Sequence, residues 1–316
     1  MRDVLFIKTS SLGDVIHHMP AIADARRNAP DARITWLVEE AFAPLVRLHP
    51  GVARVIPVAW RRWRKALARE ETWREIAAAW RDLRGLRFDL VIDAQGLMRS
   101  AVMAKAARGI RHGYAFGSIR EPLASLAYDV RHKVSRKLHA IERNRMLAAA
   151  SLGYELTGPP DYGLQLDPPP ADQPYTVLLH ATAQRGKEWA HENWIAVGRS
   201  LAASGLVPLL PWGTIEEKAR AEEIAAALPG ARIPERQPLD AMARLIAGAT
   251  LVIGVDTGLL HLAAACAVPL IAIFVASEPG LTGPMGQGAI DILGQKGRPP
   301  SASQVIDSAA RMIARR

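Results

Sequence analysis

The sequence predicts an α/β protein built from two consecutive domains with parallel sheets. Three observations lead there. At 316 residues the chain is too long for one small core. Strand-like apolar runs alternate with helical patterns through both halves, as in parallel α/β folds. Between the two series lies a segment rich in Pro, Gly and Asp, 157–174, whose three consecutive prolines at 168–170 cannot continue a helix. The expected division is therefore 1–160, 161–300 and a terminal helix within 301–316. Two similar halves imply a cleft between them.

The elements follow in order. Val4 to Lys8 opens the chain as a strand, its apolar run being too short for a signal-peptide core. Further strands are expected at Ile34 to Val38, Val52 to Val58, Leu90 to Asp93 and Ile110 to Tyr114, with helices between them such as Asp14 to Asn28 and Thr72 to Leu83. After the linker come strands at Thr176 to His180, Leu206 to Leu210, Leu251 to Val255 and Leu270 to Val275. Helices are expected near Glu192 to Ala203, Ile215 to Ala227 and Leu239 to Ala247. The longest apolar stretch, Leu259 to Val275, is interrupted by His261 and Pro269 and reads as a buried helix followed by a buried strand, so no transmembrane anchor is expected. The single cysteine, Cys266, excludes a disulfide framework and a cysteine-based zinc site, and the chain reads as cytoplasmic.

Charge separates the halves. Residues 1–150 carry 27 Lys and Arg against 15 Asp and Glu, whereas residues 151–316 carry 13 against 16. The N-terminal half is thus suited to an anionic partner such as a phosphorylated lipid, a membrane surface or a nucleic acid.

Ligands of open α/β sheets lie beyond the carboxyl ends of strands, which directs attention to the turns there. The first turn, Lys8-Thr9-Ser10-Ser11-Leu12-Gly13-Asp14, has neither the dinucleotide nor the Walker glycine pattern. It offers a Ser/Gly loop with a carboxylate at the following helix; Asp14 suits either a helix cap or a general base. After the third strand Arg61, Arg62, Arg64 and Lys65 alternate with Trp60 and Trp63, either as a solvated face or as a clamp for phosphates and carboxylates. Arg120 fits the same two descriptions, or a pair with Glu121. His17 and His18 are adjacent on a helix and diverge, so packing rather than a shared metal is expected.

In the second half, the turn after Thr176 to His180 delivers Thr182 and Lys187, and Lys187 could neutralise a diphosphate. Asp256-Thr257-Gly258 leads from a strand into an alanine-rich helix, whose positive end and free N–H groups favour phosphate oxygens. Glu216 and Glu217 lie in a helix's first turn, where acids are favoured anyway, and either could hydrogen-bond a ribose.

Together these segments resemble the ADP-heptose:lipopolysaccharide heptosyltransferases, a family with the GT-B fold of two facing Rossmann-like domains. The segments that carry the likeness are Lys8 to His17, Arg61 to Lys65, Asp93-Ala94-Gln95-Gly96-Leu97 and Arg120 to Leu126. They continue with Leu179 to Thr182, Lys187, Leu210-Pro211-Trp212-Gly213, and Val255 to Leu259 with His261. The resemblance implies an inverting transfer of heptose from ADP-heptose to the Kdo residue of Kdo2-lipid A, with no metal and no cofactor. It implies Asp14 as the base, and Ser10, Ser11, Gly13, Arg61, Arg62, Lys65 and Arg120 as acceptor contacts. It implies donor contacts from Thr182, Ala183, Lys187, Glu217, Gln237, Asp256, Thr257, Gly258 and His261. A peripheral position on the cytoplasmic face of the inner membrane, no nucleic acid and a monomer are the matching expectations.

The chain departs from the family pattern at Ala183, Leu260, Ser277-Glu278 and Gln237. Two other readings compete: addition of the second heptose rather than the first, and a basic nucleic-acid-binding α/β module. A nicotinamide-dependent oxidoreductase lacks its glycine fingerprint here.

Overall fold

The computed structural model describes residues 2–182 and 184–314, which fall into two compact units divided between Gln165 and Leu166. The division falls within the Pro-rich segment 157–174.

The first unit holds six strands: β1 (Arg2–Ile7), β2 (Ala32–Glu39), β3 (Arg54–Val58), β4 (Arg87–Asp93), β5 (Arg108–Tyr114) and β6 (Val130–His132). All pair in parallel in the order β3-β2-β1-β4-β5-β6. Val4, Leu5, Phe6 and Ile7 of the central β1 are fully buried, as expected of a parallel strand covered on both faces. The chain reverses direction across the sheet between β1 and β4, so the turns after Ile7 and Asp93 flank the switch point where α/β sheets bind ligands.

The second unit repeats the plan with β7 (Tyr175–Leu179), β8 (Val207–Leu209), β9 (Leu251–Val255), β10 (Leu270–Ile273) and β11 (Ile290–Leu293) in the order β11-β10-β9-β7-β8. A further parallel bridge joins Leu209 to Arg232 beyond β8, so the order matches that of the first sheet. Its switch point lies between β7 and β9, hence at the turns after Leu179 and Val255. Leu178, Ile253, Val255 and Ile271 meet Trp189, Trp194, Val197 and Leu201 in the core. The last helix, Ala302–Ile313, seats Val305 and Ala309 in this core.

The remaining differences have local causes. The helix expected over 14–28 is two, Leu12–Ile16 and Met19–Asn28. Pro20 has no N–H to continue the first helix and is favoured in the first turn of the second. Strands β6 and β11 carry no long apolar run because each lies at a sheet edge and is at most half-buried.

Candidate functional site

In the first unit the turn after β1 is clamped by the turn after β4. The side-chain oxygen of Gln95 accepts from the amides of Thr9 (2.9 Å) and Ser10 (3.0 Å) and from the Thr9 hydroxyl (3.3 Å). Asp93, fully buried, holds Gln95 in turn: its Oδ1 accepts from the amides of Gln95 (2.9 Å) and Gly96 (3.1 Å), and its Oδ2 accepts from the Tyr128 hydroxyl at 2.7 Å. Burial pushes the Asp93 carboxyl above its ordinary range, against the lowering effect of these donors. Lys8 is buried beside them and donates to Ala94 O at 2.9 Å; burial lowers its ammonium pKa, opposed by the charges of Asp14 and Asp93.

Asp14 stands third in helix Leu12–Ile16, and its Oδ2 accepts from the Ser11 amide at 2.7 Å and the Ser11 hydroxyl at 3.2 Å. Ser11 is therefore the cap residue and Asp14 the acid that closes on it, an arrangement that fixes the carboxylate's rotamer. Arg99 donates to Ser10 Oγ at 2.7 Å and joins the same turn. Arg143 lies over the Tyr114 ring at 4.9 Å and donates to Ser118 O.

The basic segment after β3 separates into different environments. Arg62 pairs with two carboxylates, Glu40 (3.0 Å) and Glu75 (2.8 Å), and so braces its own loop while its side chain stays half exposed. Arg61 places its amide on the buried Glu39 at 2.9 Å and its guanidinium 5.1 Å from the Phe42 ring, and Lys65 is exposed. Arg120 is exposed; the neighbouring Glu121 accepts from the Met98 amide at 2.6 Å.

In the second unit Asp256 gathers the turns flanking the switch point. Lys187 Nζ donates to Asp256 Oδ2 at 2.5 Å, Ser277 Oγ donates to the same oxygen at 2.7 Å, and Thr182 Oγ1 donates to Asp256 O at 3.3 Å. Burial pushes the Asp256 carboxyl up, but the Lys187 and Ser277 hydrogen bonds and the Lys187 charge outweigh it and hold the group below its usual range. Thr257 then stands at the N-cap position of helix Gly258–Ala265 without a side-chain bond to its first amides, which face away from the helix body; His261 is buried within it.

Glu217 and Gln237 sit elsewhere along the carboxyl edge of this sheet. Glu217 Oε2 accepts from the amides of Gly213 (2.7 Å) and Thr214 (3.2 Å), closing the start of helix Ile215–Ala226. Gln237 is exposed in the loop after Pro234, whose carbonyl accepts from Trp212 Nε1 at 2.9 Å. Ala183 lies outside the described residues.

Gln95, Asp93, Tyr128, Arg99 and Ser277 belong to these turns without having been assigned roles from the sequence. Strand order is the signal that finds the first two, since they follow the strand beside β1; nothing in the spacing of Tyr128 or Ser277 reveals them.

Residues 76–309 match the family model described as glycosyltransferase family 9 (heptosyltransferase). A lipopolysaccharide heptosyltransferase 1 of Pseudomonas aeruginosa is 43% identical over 297 residues, covering 92% of this chain and 83% of its own. The structure is also similar to that of the E. coli heptosyltransferase WaaC with ADP, at a TM-score of 0.91 and 39% identity over 98% of this chain and 99% of the other. The same E. coli enzyme with ADP-2-deoxy-2-fluoro heptose gives a TM-score of 0.87 at 39% identity over 99% of each.

Proposed function

From the premise that this chain belongs to glycosyltransferase family 9, the heptosyltransferases, we propose that it transfers L-glycero-D-manno-heptose from ADP-heptose to the Kdo residue of Kdo2-lipid A. The observation that carries the donor half is the convergence of Lys187, Thr182 and the start of helix Gly258–Ala265 around Asp256. A cation, a hydroxyl and outward-facing amides at one helix start are the groups that stabilise a departing diphosphate.

Asp14 removes the proton from the acceptor hydroxyl. The oxygen attacks the anomeric carbon of heptose from the face opposite the diphosphate, the bond to ADP breaks, and configuration inverts. Lys187 and the amides beginning at Thr257 and Gly258 meet the charge that develops on the leaving phosphate. Asp256 keeps the ammonium of Lys187 in place through the 2.5 Å contact, so the cation is already oriented when the donor arrives. Glu217 has a second carboxylate oxygen to offer a ribose hydroxyl, and Gln237 and His261 complete the donor side. Ser10, Ser11, Gly13, Arg61, Arg62, Lys65 and Arg120 receive the anionic acceptor, Arg62 from the loop that its pairs with Glu40 and Glu75 brace.

The acceptor is borne by a membrane, and no helix among the described residues is long and apolar enough to cross one. We therefore assign the enzyme a peripheral position on the cytoplasmic face. ADP release measured with ADP-heptose against Kdo2-lipid A and against the mono-heptosylated product tests the assignment. Release with the first alone supports it; release with the second alone makes this the next transferase in line, and none with either overturns it.

A further inference from the structure

We propose that the face of the first unit formed by helix Met98–Ala106 and the 3₁₀ helix Pro122–Ala127 docks onto a bilayer carrying anionic lipids. The inference rests on the reading of the acceptor as lipid-borne and identifies the surface that meets the lipid.

Four apolar side chains on these helices point into solvent: Met98 is 45% exposed, Val102 50%, Leu123 62% and Leu126 63%. Their spacing is that of a face rather than of scatter. Met98 and Val102 are four apart on an α-helix, and Leu123 and Leu126 are three apart on a 3₁₀ helix, where such positions eclipse. The two helices are joined directly, since Glu121 accepts from the Met98 amide at 2.6 Å and donates its own amide to Gly96 O at 3.4 Å. Their inner sides are already filled by Ala101, Met103 and Ala104 and by Ala124, Ser125 and Ala127, so the outer residues add nothing to the core.

The surroundings say what covers this face. Residues 98–137 hold nine Lys and Arg against two Asp and Glu. Both acids are engaged: Glu121 with the Met98 amide, and Asp129 in a bidentate pair with Arg111 at 2.6 and 2.8 Å. Lys105, Arg108, Arg120, Arg131, Lys133 and Arg136 are exposed. An apolar face on a segment rich in exposed cations is complementary to an anionic interface, where apolar side chains enter the acyl boundary and basic ones meet the headgroups. The face also adjoins the candidate acceptor turn, because Arg99 on helix Met98–Ala106 donates to Ser10 Oγ at 2.7 Å. Docking there brings the Ser10 to Asp14 turn to the plane in which a lipid-borne sugar lies.

The test is flotation of the full chain with vesicles of phosphatidylethanolamine and phosphatidylglycerol, and with phosphatidylcholine vesicles. The wild type is expected to float with the anionic vesicles and hardly with the neutral ones. Leu123→Glu with Leu126→Glu is expected to lower partition about tenfold or more, from lost apolar burial and added negative charge. Met98→Ser with Val102→Ser gives a milder loss on the neighbouring helix and serves if the first pair misfolds by circular dichroism. Both pairs should keep wild-type turnover on an acceptor stripped of its acyl chains. Undiminished partition of a folded pair, or equal partition of the wild type onto both vesicle types, overturns the proposal. Absence of wild-type turnover on both the intact and the stripped acceptor would instead overturn the functional reading, and the vesicle result would still decide the docking face.

Discussion

In the proposed mechanism Asp14 combines two uses that the sequence presented as alternatives. One oxygen closes on the Ser11 amide, which leaves proton removal to the other, on a carboxylate that cannot swing away. Replacing it by Asn keeps the cap acceptor and removes the base. Asp14→Asn is expected to lower turnover by roughly 10²–10⁴-fold, the usual range for general-base loss, with ADP binding by calorimetry nearly unchanged. Gln95 positions that same turn through two backbone amides and a hydroxyl. Gln95→Ala deprives these donors of their acceptor, at about 1–3 kcal/mol for a buried group, so kcat should fall roughly 10- to 100-fold while the donor KM stays put. Gln95→Glu retains an acceptor oxygen and should recover part of the loss; no recovery, or a changed donor KM, would remove Gln95 from this role. On the donor side, Lys187→Ala removes a cation from the leaving group and strands the half-buried Asp256. A loss of about 10²-fold or more in kcat/KM for ADP-heptose is expected, and unchanged kinetics would return Lys187 to the surface.

Each sheet's critical turns flank its switch point: β1 and β4 in the first unit, β7 and β9 in the second. The interior strands were legible because parallel strands covered on both faces read as continuous apolar runs, as in Leu251–Val255. The edge strands β6 and β11 were not, being short and partly exposed. Strand β5 also supports the site from below. A Cβ at Gly113 would run into the Tyr128 ring, whose hydroxyl holds Asp93. Gly113→Ala should therefore destabilise the first unit by about 1–3 kcal/mol through overpacking, read as a lowered urea midpoint, and should reduce turnover with it. A midpoint and turnover equal to wild type would mean that the ring can move aside without disturbing Asp93.

Across the whole molecule, pH acts through buried histidines. Burial lowers the pKa of His18, and brings those of His49 and His180 from 6.5 to about 4. Between those values the unfolded chain binds more protons than the folded one, so stability is full above about 6.5 and falls as pH drops toward 4, on the order of 2–3 kcal/mol per ring. Thermal unfolding at pH 7.5 and pH 5 should show the acid sample melting earlier, and His180→Gln should narrow the difference; equal melting temperatures would contradict this. The sequence by itself determined the alternation of strands and helices, the Pro-rich division, the unequal charge of the halves and the turns that carry hydroxyl, glycine and acid. All of these follow from local residue preferences and simple counts. Only the tertiary structure decided which turns meet: Gln95 lies 85 and 86 residues from the amides it holds, and Lys187 69 residues from Asp256. It also decided that Arg62 is held by Glu40 and Glu75. The reason is that a hydrogen bond depends on which strands become neighbours, and strand order is set by the packing of the whole sheet rather than by any spacing along the chain.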